Sequence, residues 1–424
     1  MRLAASSVLR GQLSRRLYSS SRTIQENDVV FLRQHGKKYP KWHLTSPLRA
    51  DSRIKLAYGA SINSSDLIGR RVLDVVPDSS GYNVVLHQPS MASYIINSPR
   101  LATPIYPHDA NTIVSLLDLN LSRPGEEDHD NSDQPFEIFE AGTGMGSLTL
   151  HLARALHAAN PPLSPSLRNA LCAAPHKRDE FGLELSPEDQ TAYDKYLAGR
   201  RAVLHTLDRN HRHSKAAHNL VRNFRRSLYF PTVDFHLGSV GEYISGRLAE
   251  TDGQPFLSHA ILDLPSAHEH AAQVIQALHP NGLLVIFNPS ISQIADFQTW
   301  AVRSRQPIRP ERVIELAVST TADGVNDTGG GKEWDVKTVV PREEPDAAPV
   351  QIMRPKVGDR LAGGGFVAVL RRWPIKQIPS EVEPCAEEVV SEVDGDAEIE
   401  RGAEVEGVAE VDGVVSGEEP SKNS

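Results

Sequence analysis

The sequence predicts an α/β protein, in which a parallel β-sheet flanked by helices follows a small β-rich domain. From about residue 105 onward, apolar segments of strand length alternate with segments of helical spacing, a pattern typical of a parallel sheet. The predicted strands are 136–140, 202–207, 233–237, 260–264, 283–287 and 366–370. A glycine-rich turn joins the first of these strands to a predicted helix over 148–156, which favours a fold that binds ligands at the carboxyl ends of its strands.

Residues 25–102 predict the small β-domain. Short β-branched or apolar runs, such as 29–32 and 83–86, are separated there by glycines and prolines. The pattern changes where residues 109–119 take up helical spacing, so we place the larger domain at 103–378.

Two segments of the larger domain interrupt the alternation, and a tail follows it. Residues 158–199 contain five prolines and predict an insertion. Residues 320–365 are rich in Gly, Pro and Asp and predict a long loop before the last strand. Residues 379–424 are acidic and lack aromatic residues, so we expect them to be a disordered tail.

The formal net charge of −9 is unevenly distributed along the chain. Residues 381–424 contribute −13, so the rest of the chain carries +4, to which residues 1–24 contribute +5. The part between them is close to neutral, and such a body can still bind nucleic acid through a local basic face.

The first 24 residues have the composition of a mitochondrial transit peptide. They hold five arginines, several serines and no acidic residue, and their leucines can share one side of a helix. A basic terminus without a targeting role is the alternative.

Cysteine and histidine usage excludes several classes of site. Cys172 and Cys385 lie far apart and predict neither a disulfide framework nor a zinc site. Four histidines at 205, 211, 213 and 218 match no familiar zinc spacing, so we expect no metal. No apolar run reaches the roughly 18 residues of a membrane span, so we expect no membrane insertion.

The turn at 140–146 reads EAGTGMG and lies between a predicted strand and a predicted helix. Glycines there permit a tight turn and close approach of a ligand to the backbone. The helix N-terminus suits the carboxylate of a methionine moiety as well as a phosphate. The spacing differs from the dinucleotide fingerprint and from the P-loop. The alternative is a tight strand-to-helix turn without a ligand.

Two aspartates follow predicted strands. Asp208 is the candidate acid for ribose hydroxyls at the end of the second strand, with a helix N-cap as the alternative. It lies 66 positions after Gly142, a separation that a surface insertion at 158–199 explains because the cost of loop closure grows slowly with length. Asp263 ends a later strand, and capping of the next helix is its alternative role.

Five separated blocks, in order along the chain, carry a resemblance to a known family. They are YGASI leading to DLIG (58–69), PIYPHDA (104–110), EAGTGMG (140–146), LDLP (262–265) and PSISQ (289–293). In these blocks the chain resembles the tRNA (adenine-N1)-methyltransferases, which modify adenine 58 in the TΨC loop. The strand at 366–370 fits the last strand of that family.

This resemblance implies a Rossmann-like seven-stranded class I methyltransferase domain with a small N-terminal β-domain. It implies S-adenosyl-L-methionine as cofactor, tRNA as substrate and transfer of a methyl group to N1 of adenine 58. It also implies a tetramer, formed by four copies or by catalytic and non-catalytic subunits. We therefore expect a mitochondrial matrix enzyme, with a nuclear two-subunit complex as the alternative.

The resemblance also assigns site residues. The expected cofactor-binding residues are Glu140, Gly142, Thr143, Gly144, Met145, Gly146, Ser147, Leu148, Asp208, Ser239 and Asp263. Asp263 is the expected catalytic residue, which accepts a hydrogen bond from the adenine 6-amino group. The expected substrate-binding residues are Tyr106, Pro265 and Gln293 from these blocks, and Arg222 and Arg225 from a basic stretch that predicts a face for tRNA phosphates. For the basic stretch around Arg222, a solvated helix is the alternative.

Some positions depart from the family pattern. Ala267 and His268 stand where Pro-Trp is usual, Thr103 stands for a Gln, and Ser239 stands where an acid follows the third strand. Two other functions stay open: a non-catalytic tRNA-binding subunit of the same complex, and a class I methyltransferase with another substrate. The intact glycines and Asp263 argue against the first, and the N-terminal domain and the Tyr106 block against the second.

Overall fold

The structure is a computed structural model of the chain. It describes residues 22–37, 39–126, 134–177, 181–325, 327–340 and 348–374. The predicted acidic tail, 379–424, lies outside the described residues, as do residues 1–21 of the predicted transit peptide. None of the described helices is long and apolar enough to cross a membrane.

The N-terminal part folds into a small β-domain, as predicted. Its elements are β1 (Phe31–Gln34), β2 (Trp42–Leu44), β3 (Arg53–Lys55), β4 (Ser61–Asn63), the short helix α1 (Ser64–Leu67), β5 (Val75–Pro77) and β6 (Asn83–His87). Four of the strands form an antiparallel sheet in the order β2-β1-β6-β5, and β3 pairs with β4. Leu32, Val84 and Leu86 are fully buried in a hydrophobic cluster of this domain.

Two helices, α2 (Met91–Asn97) and α3 (Pro107–Leu116), connect the small domain to the larger one. Tyr94 of α2 is buried, and its hydroxyl donates to the carbonyl of Leu220 at 2.8 Å. Because a buried hydroxyl without a partner is costly, this bond fixes α2 against the larger domain.

The larger domain is built on a seven-stranded sheet. Its strands include β7 (Phe136–Ala141), β8 (Ala202–Asp208), β9 (Val233–Leu237), β10 (Leu257–Leu262), β11 (Leu278–Asn288) and β12 (Ile308–Leu316). The seventh strand of the sheet is β17 (Gly365–Arg372). Between β12 and β17 the chain forms four short strands, β13 (Ser319–Ala322), β14 (Trp334–Val339), β15 (Val350–Pro355) and β16 (Arg360–Ala362).

The strand order is β9-β8-β7-β10-β11-β17-β12, and only β17 runs antiparallel to its neighbours. This order reverses at β7 and β10, which creates a crevice at their carboxyl ends. The predicted Rossmann-like seven-stranded sheet is therefore confirmed.

Helices cover both faces of the sheet. They are α4 (Ser147–Leu156), α5 (Pro165–Ala173), α6 (Pro187–Ala198), α7 (His211–Asn223), α8 (Val240–Glu250), α9 (His268–Ala277) and α10 (Ile291–Arg303). Successive residues of β7 enter different cores, because Ile138 belongs to one buried cluster and Phe139 to the other. This double burial explains why the strands read as continuous apolar runs.

The prediction of a long loop at 320–365 needs correction. The segment contains two antiparallel pairs, β13 with β16 and β14 with β15. Its left-handed glycines are concentrated in turns, among them Gly329 and Gly363, whereas residues 334–339 between the turns are strand formers. Overall Gly and Pro content therefore concealed two short strand pairs.

The segment predicted as an insertion, 158–199, carries α5 and α6, which connect β7 and α4 to β8. Ser164 caps α5 and Ser186 caps α6, in each case by accepting from a backbone N–H, and a proline starts each helix. The capping explains why a proline-rich segment is helical.

Arg222 of α7 holds this insertion in place. It is buried, and its guanidinium donates to the carbonyls of Leu171 at 2.8 Å and Cys172 at 3.1 Å, and also to Ala174. These carbonyls form the C-terminal end of α5, where a cation is favourable. The prediction that Arg222 binds substrate is therefore corrected to a structural role, because its donors are directed to the protein interior.

Candidate active site

The glycine turn after β7 is shaped by contacts on two sides. Gly142 has φ +96° and Gly146 has φ +89°, a backbone region that disfavours other residues. A Cβ on Gly142 would lie 2.1 Å from the carbonyl oxygen of Asp263, and one on Gly146 would lie 2.9 Å from the Cα of Ala217. Both glycines are therefore required by the packing of the protein itself.

Gly144 differs from the other two glycines. Its φ is +53°, and a Cβ there would meet nothing closer than the Gly142 oxygen at 3.9 Å. The turn is therefore open at its middle, and no side chain caps the N-terminus of α4. An open turn beside an uncapped helix N-terminus fits an anionic group such as a carboxylate.

Asp208 joins the turn at the end of β8. Its Oδ2 accepts the N–H of Gly144 at 3.0 Å, and its Oδ1 accepts the N–H of Asn210 at 2.7 Å. Asn210, rather than Asp208, is the N-cap of α7. The helix-cap alternative for Asp208 is therefore wrong, and the insertion brings the residue to the turn despite its distance in sequence.

Glu140, near the end of β7, supports the glycine turn through the hydrogen bonds of its side chain. It is buried, and its Oε2 accepts hydrogen bonds from Thr149 at 2.7 Å and Thr206 at 2.8 Å. Thr206 also bonds Thr143 of the turn at 2.6 Å between their hydroxyl oxygens. Burial, with a contribution from the carboxyl of Asp263, raises the pKa of Glu140 to about 8, so the carboxyl is mainly protonated at neutral pH.

Asp263 is the first residue after β10, and its backbone lies beside the glycine turn that follows β7. Its N–H donates to the carbonyl of Ala141 at 2.9 Å, which fixes its backbone against β7. Its side chain makes no hydrogen bond or ion pair to any residue that the structure describes, and the N-cap of α9 is Ala267, which provides no side-chain hydrogen bond. Asp263 therefore does not serve as a helix cap.

Burial raises the pKa of Asp263 to about 7, and the negative charge of Asp208 adds to the effect. A half-buried carboxyl that no described residue engages is available to a ligand in the crevice. Since perturbed carboxyls in clefts are candidates for function, Asp263 is the strongest candidate for contact with a substrate.

The other predicted cofactor residues occupy different settings. The Ser147 hydroxyl donates to the carbonyl of Ile105 at 2.5 Å, and Leu148 is buried in the core. Ser239 caps α8 by accepting from the N–H of Glu242 at 3.2 Å. Met145 is buried and borders cavities described below.

Tyr106 is the predicted substrate residue that lies near the turn. It and Met145 line a cavity of about 130 Å³, together with Arg100 and Arg360. Pro265 and Gln293 follow the neighbouring parallel strands β10 and β11, so they lie at the same edge of the sheet as the turn. The Gln293 Oε1 is buried and without a hydrogen-bond partner.

Arg225 lies apart from these residues, in a left-handed stretch after α7 with φ +50°. It lines a small cavity with Arg22, Asp28 and Gln88, which does not include the glycine turn or Asp263. The structure thus gathers 140–148, Asp208 and Asp263 at one crevice and leaves Arg225 outside it.

Asp109 is a residue near the site that the sequence reasoning missed. It is buried in α3, its Oδ2 accepts the N–H of Gly364 at 3.1 Å, and its Oδ1 has no hydrogen-bond partner. Burial raises its pKa to about 6. The available signal was that Asp109 is the single acidic residue of α3. Asp109 and the bond from the His108 N–H to the Thr328 carbonyl at 2.9 Å hold the 320–365 segment against α3.

The seven-stranded sheet and its glycine turn have the fold of the class I S-adenosylmethionine-dependent methyltransferases. A solved S-adenosylmethionine-dependent O-methyltransferase from Thermotoga maritima is similar over 84% of this chain and 96% of its own, with a TM-score of 0.50 and 15% identity. No protein-family model matches the chain.

Two curated proteins are similar in sequence. Both are tRNA (adenine(58)-N(1))-methyltransferases TrmI, from two strains of Thermus thermophilus, and each is 26% identical over 299 residues. The match covers 70% of this chain and 81% of each relative. A solved tRNA (m1A58) methyltransferase TrmI from Aquifex aeolicus covers 84% of the chain at 13% identity and a TM-score of 0.47. The resemblance to the tRNA (adenine-N1)-methyltransferases is confirmed.

Gly142 and Gly144 of the turn predict different costs of substitution. We expect Gly142→Ala to lower the free energy of unfolding by more than about 3 kcal/mol, because it adds a backbone clash to an unfavourable φ. Gly144→Ala is the matched control, with an expected loss of about 1 kcal/mol from its φ alone. Urea unfolding without cofactor measures both. Equal losses in the two variants would contradict the assigned contact between Gly142 and Asp263.

Proposed function

We propose that the chain transfers a methyl group from S-adenosyl-L-methionine to N1 of adenine 58 in the TΨC loop of tRNA. The observation that carries the proposal is the unpartnered carboxyl of Asp263, which is held by its own backbone against the glycine turn. The similarity to TrmI proteins over 299 residues supports the choice of tRNA and of adenine.

The crevice residues fit S-adenosyl-L-methionine. The uncapped N-terminus of α4 and the open turn at Gly144 suit its carboxylate, and Asp208 suits its ribose hydroxyls. When bound, the cofactor supplies an electrophilic methyl group. Glu140 stays protonated behind the turn, so it adds no negative charge there at neutral pH.

Asp263 positions the adenine. Its ionised carboxyl accepts a hydrogen bond from the 6-amino group, which directs N1 toward the methyl group. The adenine ring gains positive charge as N1 is methylated, and the carboxylate of Asp263 stabilises that charge. Much of the rate enhancement comes from this positioning, after the base has left the folded tRNA stack.

The rival interpretation as a non-catalytic tRNA-binding subunit gains no support from the site. A scaffold subunit has no need of an unpartnered carboxyl or of a turn open at Gly144. A tritiated-methyl transfer assay on unmodified tRNA, with N1-methyladenine identified by mass spectrometry, tests the proposed function. Absence of cofactor binding would favour the scaffold subunit, and methylation of other acceptors but not tRNA would favour another substrate.

The assigned role of Asp263 predicts the effect of its substitution. We expect Asp263→Asn to lower kcat on the order of 100-fold, because the developing charge on adenine loses its carboxylate. Binding of S-adenosyl-L-methionine, measured by calorimetry, should persist. Asp296→Asn, on the exposed face of α10, is the matched control and should keep full activity. An Asp263→Asn protein with full activity would refute the assignment.

The raised pKa of Asp263 predicts a pH profile. The ionised carboxyl stabilises the positive charge that develops on adenine and the neutral carboxyl does not, so kcat/KM for S-adenosyl-L-methionine should fall about tenfold per pH unit below pH 7 and level off above it. A bound sulfonium favours the ionised form, so the midpoint of the kcat profile should lie at lower pH. Asp263→Asn should lose both transitions, and a variant that kept them would assign the titration to another group.

We further propose that the enzyme acts in the mitochondrial matrix. The support is the basic composition of residues 1–24, with five arginines and no acidic residue. The location in living cells of a fluorescent reporter protein fused to residues 1–24 tests this localisation. A reporter that enters nuclei instead would favour the nuclear two-subunit complex.

We also propose that the chain assembles as a tetramer, with itself or with a non-catalytic subunit. The β14–β15 hairpin supports association because it exposes the apolar side chains of Trp334, Val336 and Met353, which are 58%, 56% and 62% accessible. Such contiguous apolar surface is typical of interfaces. Light scattering of the purified chain tests the proposal, with a single-chain mass of 46.5 kDa as the contrary result.

A further inference from the structure

A cleft runs between the N-terminal β-domain and the larger domain, away from Asp263. It consists of two adjoining cavities of about 590 Å³ each, which share Leu44, Pro47 and Asn223 in their walls. One half reaches Met145 of the glycine turn, and the other reaches Cys172 and His176 of the insertion. Each half is within the range of about 300–1,000 Å³ that is typical of ligand pockets.

Positive charge lines both halves of this cleft, and among the residues that the structure describes no Asp or Glu lines either half. The cations are Arg212 and Lys215 in the half near Met145, and Arg49, Arg53, Lys55 and Arg222 in the half near the insertion. Apart from the buried Arg222, these side chains are exposed, and none forms an ion pair with a residue that the structure describes. Of these exposed side chains, Arg53 donates a hydrogen bond to the Ser61 hydroxyl at 2.8 Å.

Unpaired cations around one cleft give it a positive potential that attracts anionic ligands. The charges repel one another, since Arg49 lowers the pKa of Arg222 and Arg222 lowers that of His176, in each case after burial as the larger cause. A ligand with regularly spaced negative charges would relieve this repulsion.

The half near Met145 combines the charge with an apolar floor. Leu44, Leu101 and Leu220 line it, and so do Asn97 and Asn219. The Asn97 Nδ2 already donates to carbonyls of the protein and the Asn219 Oδ1 is bonded to His176, so one amide atom of each residue is engaged within the protein. Apolar surface suits the faces of unstacked bases, and side-chain amides suit their edges. The half near the insertion is more polar and suits the backbone of the same strand.

We propose that this cleft binds the RNA strand that flanks the methylated nucleotide. In this assignment the half near Met145 holds unstacked neighbours of the target base, and the half walled by the insertion binds backbone phosphates through Arg49 and Lys55. The insertion thereby extends the contact with RNA beyond the catalytic crevice. The proposal rests on the proposed function for the identity of the RNA.

Salt dependence of tRNA binding tests the phosphate contacts. We expect Arg49→Ala with Lys55→Ala, in the full chain, to reduce the slope of log K against log salt concentration by about 1.4–1.8, because two phosphate contacts are lost. KM for tRNA should rise while KM for S-adenosyl-L-methionine is unchanged, and Arg49→Lys with Lys55→Arg should restore binding. The matched control is Arg303→Ala with Arg312→Ala, two exposed cations at the far side of the sheet.

Alkylation of Cys172 gives a second and independent readout. The chain has two cysteines, so Cys385→Ser leaves a single thiol, which is half-buried in the wall of the cleft. Saturating tRNA should slow alkylation of Cys172 at low salt, and S-adenosyl-L-methionine alone should not. The protection should disappear in the Arg49→Ala, Lys55→Ala background.

Two results would overturn the proposal: an alkylation rate that tRNA leaves unchanged, or a salt slope equal to that of the control variant. Protection of Cys172 that depends on protein concentration but not on tRNA would instead assign the cleft to a second copy of the chain. If wild-type protein methylates no tRNA yet tRNA still protects Cys172, the proposed function fails while the cleft remains an RNA site.

Discussion

The approach of the Gly142 backbone to the carbonyl of Asp263 is the contact on which the site depends. A side chain on Gly142 would overlap that carbonyl, and the N–H of Asp263 donates to Ala141 next to it. The two central strands β7 and β10 are thereby locked at their carboxyl ends. The cofactor turn and the candidate catalytic carboxyl consequently share one rigid frame, and neither can move without the other.

Much of this arrangement could be predicted from sequence because it depends on local signals. The EAGTGMG turn and the buried strands show their conformations through glycine placement and continuous apolar runs. Long-range contacts gave no such signal. Arg222 appeared as one of many basic residues in α7, and only the fold shows its donors directed to the carbonyls that end α5. The segment 320–365 was predicted as a loop because its glycines concealed two short strand pairs, and Asp109 was missed because its partner, Gly364, is 255 positions away.

The insertion at 158–199 contacts both the packed interior of the larger domain and the cleft proposed to bind RNA. A connection of this length between β7 and β8 is tolerated because it folds into two capped helices on the surface. Arg222 then joins it to α7, and α7 in turn packs on the glycine turn through Ala217 and Gly146. The insertion contributes no strand to the sheet, yet the buried side chains of Arg222 and Ala217 connect it through α7 to the glycine turn.

The position of β17 has a consequence for how the chain is made. Within the described residues β12 pairs only with β17, and β17 is the last strand along that part of the chain, separated from β12 by the segment that forms β13 to β16. The nascent sheet therefore keeps an open edge on β11, and β12 has no partner, until Arg372 has been added. During that interval the growing chain presents unpaired strand edges, the surfaces on which aggregation begins, so a chaperone that covers apolar strands would act at this stage.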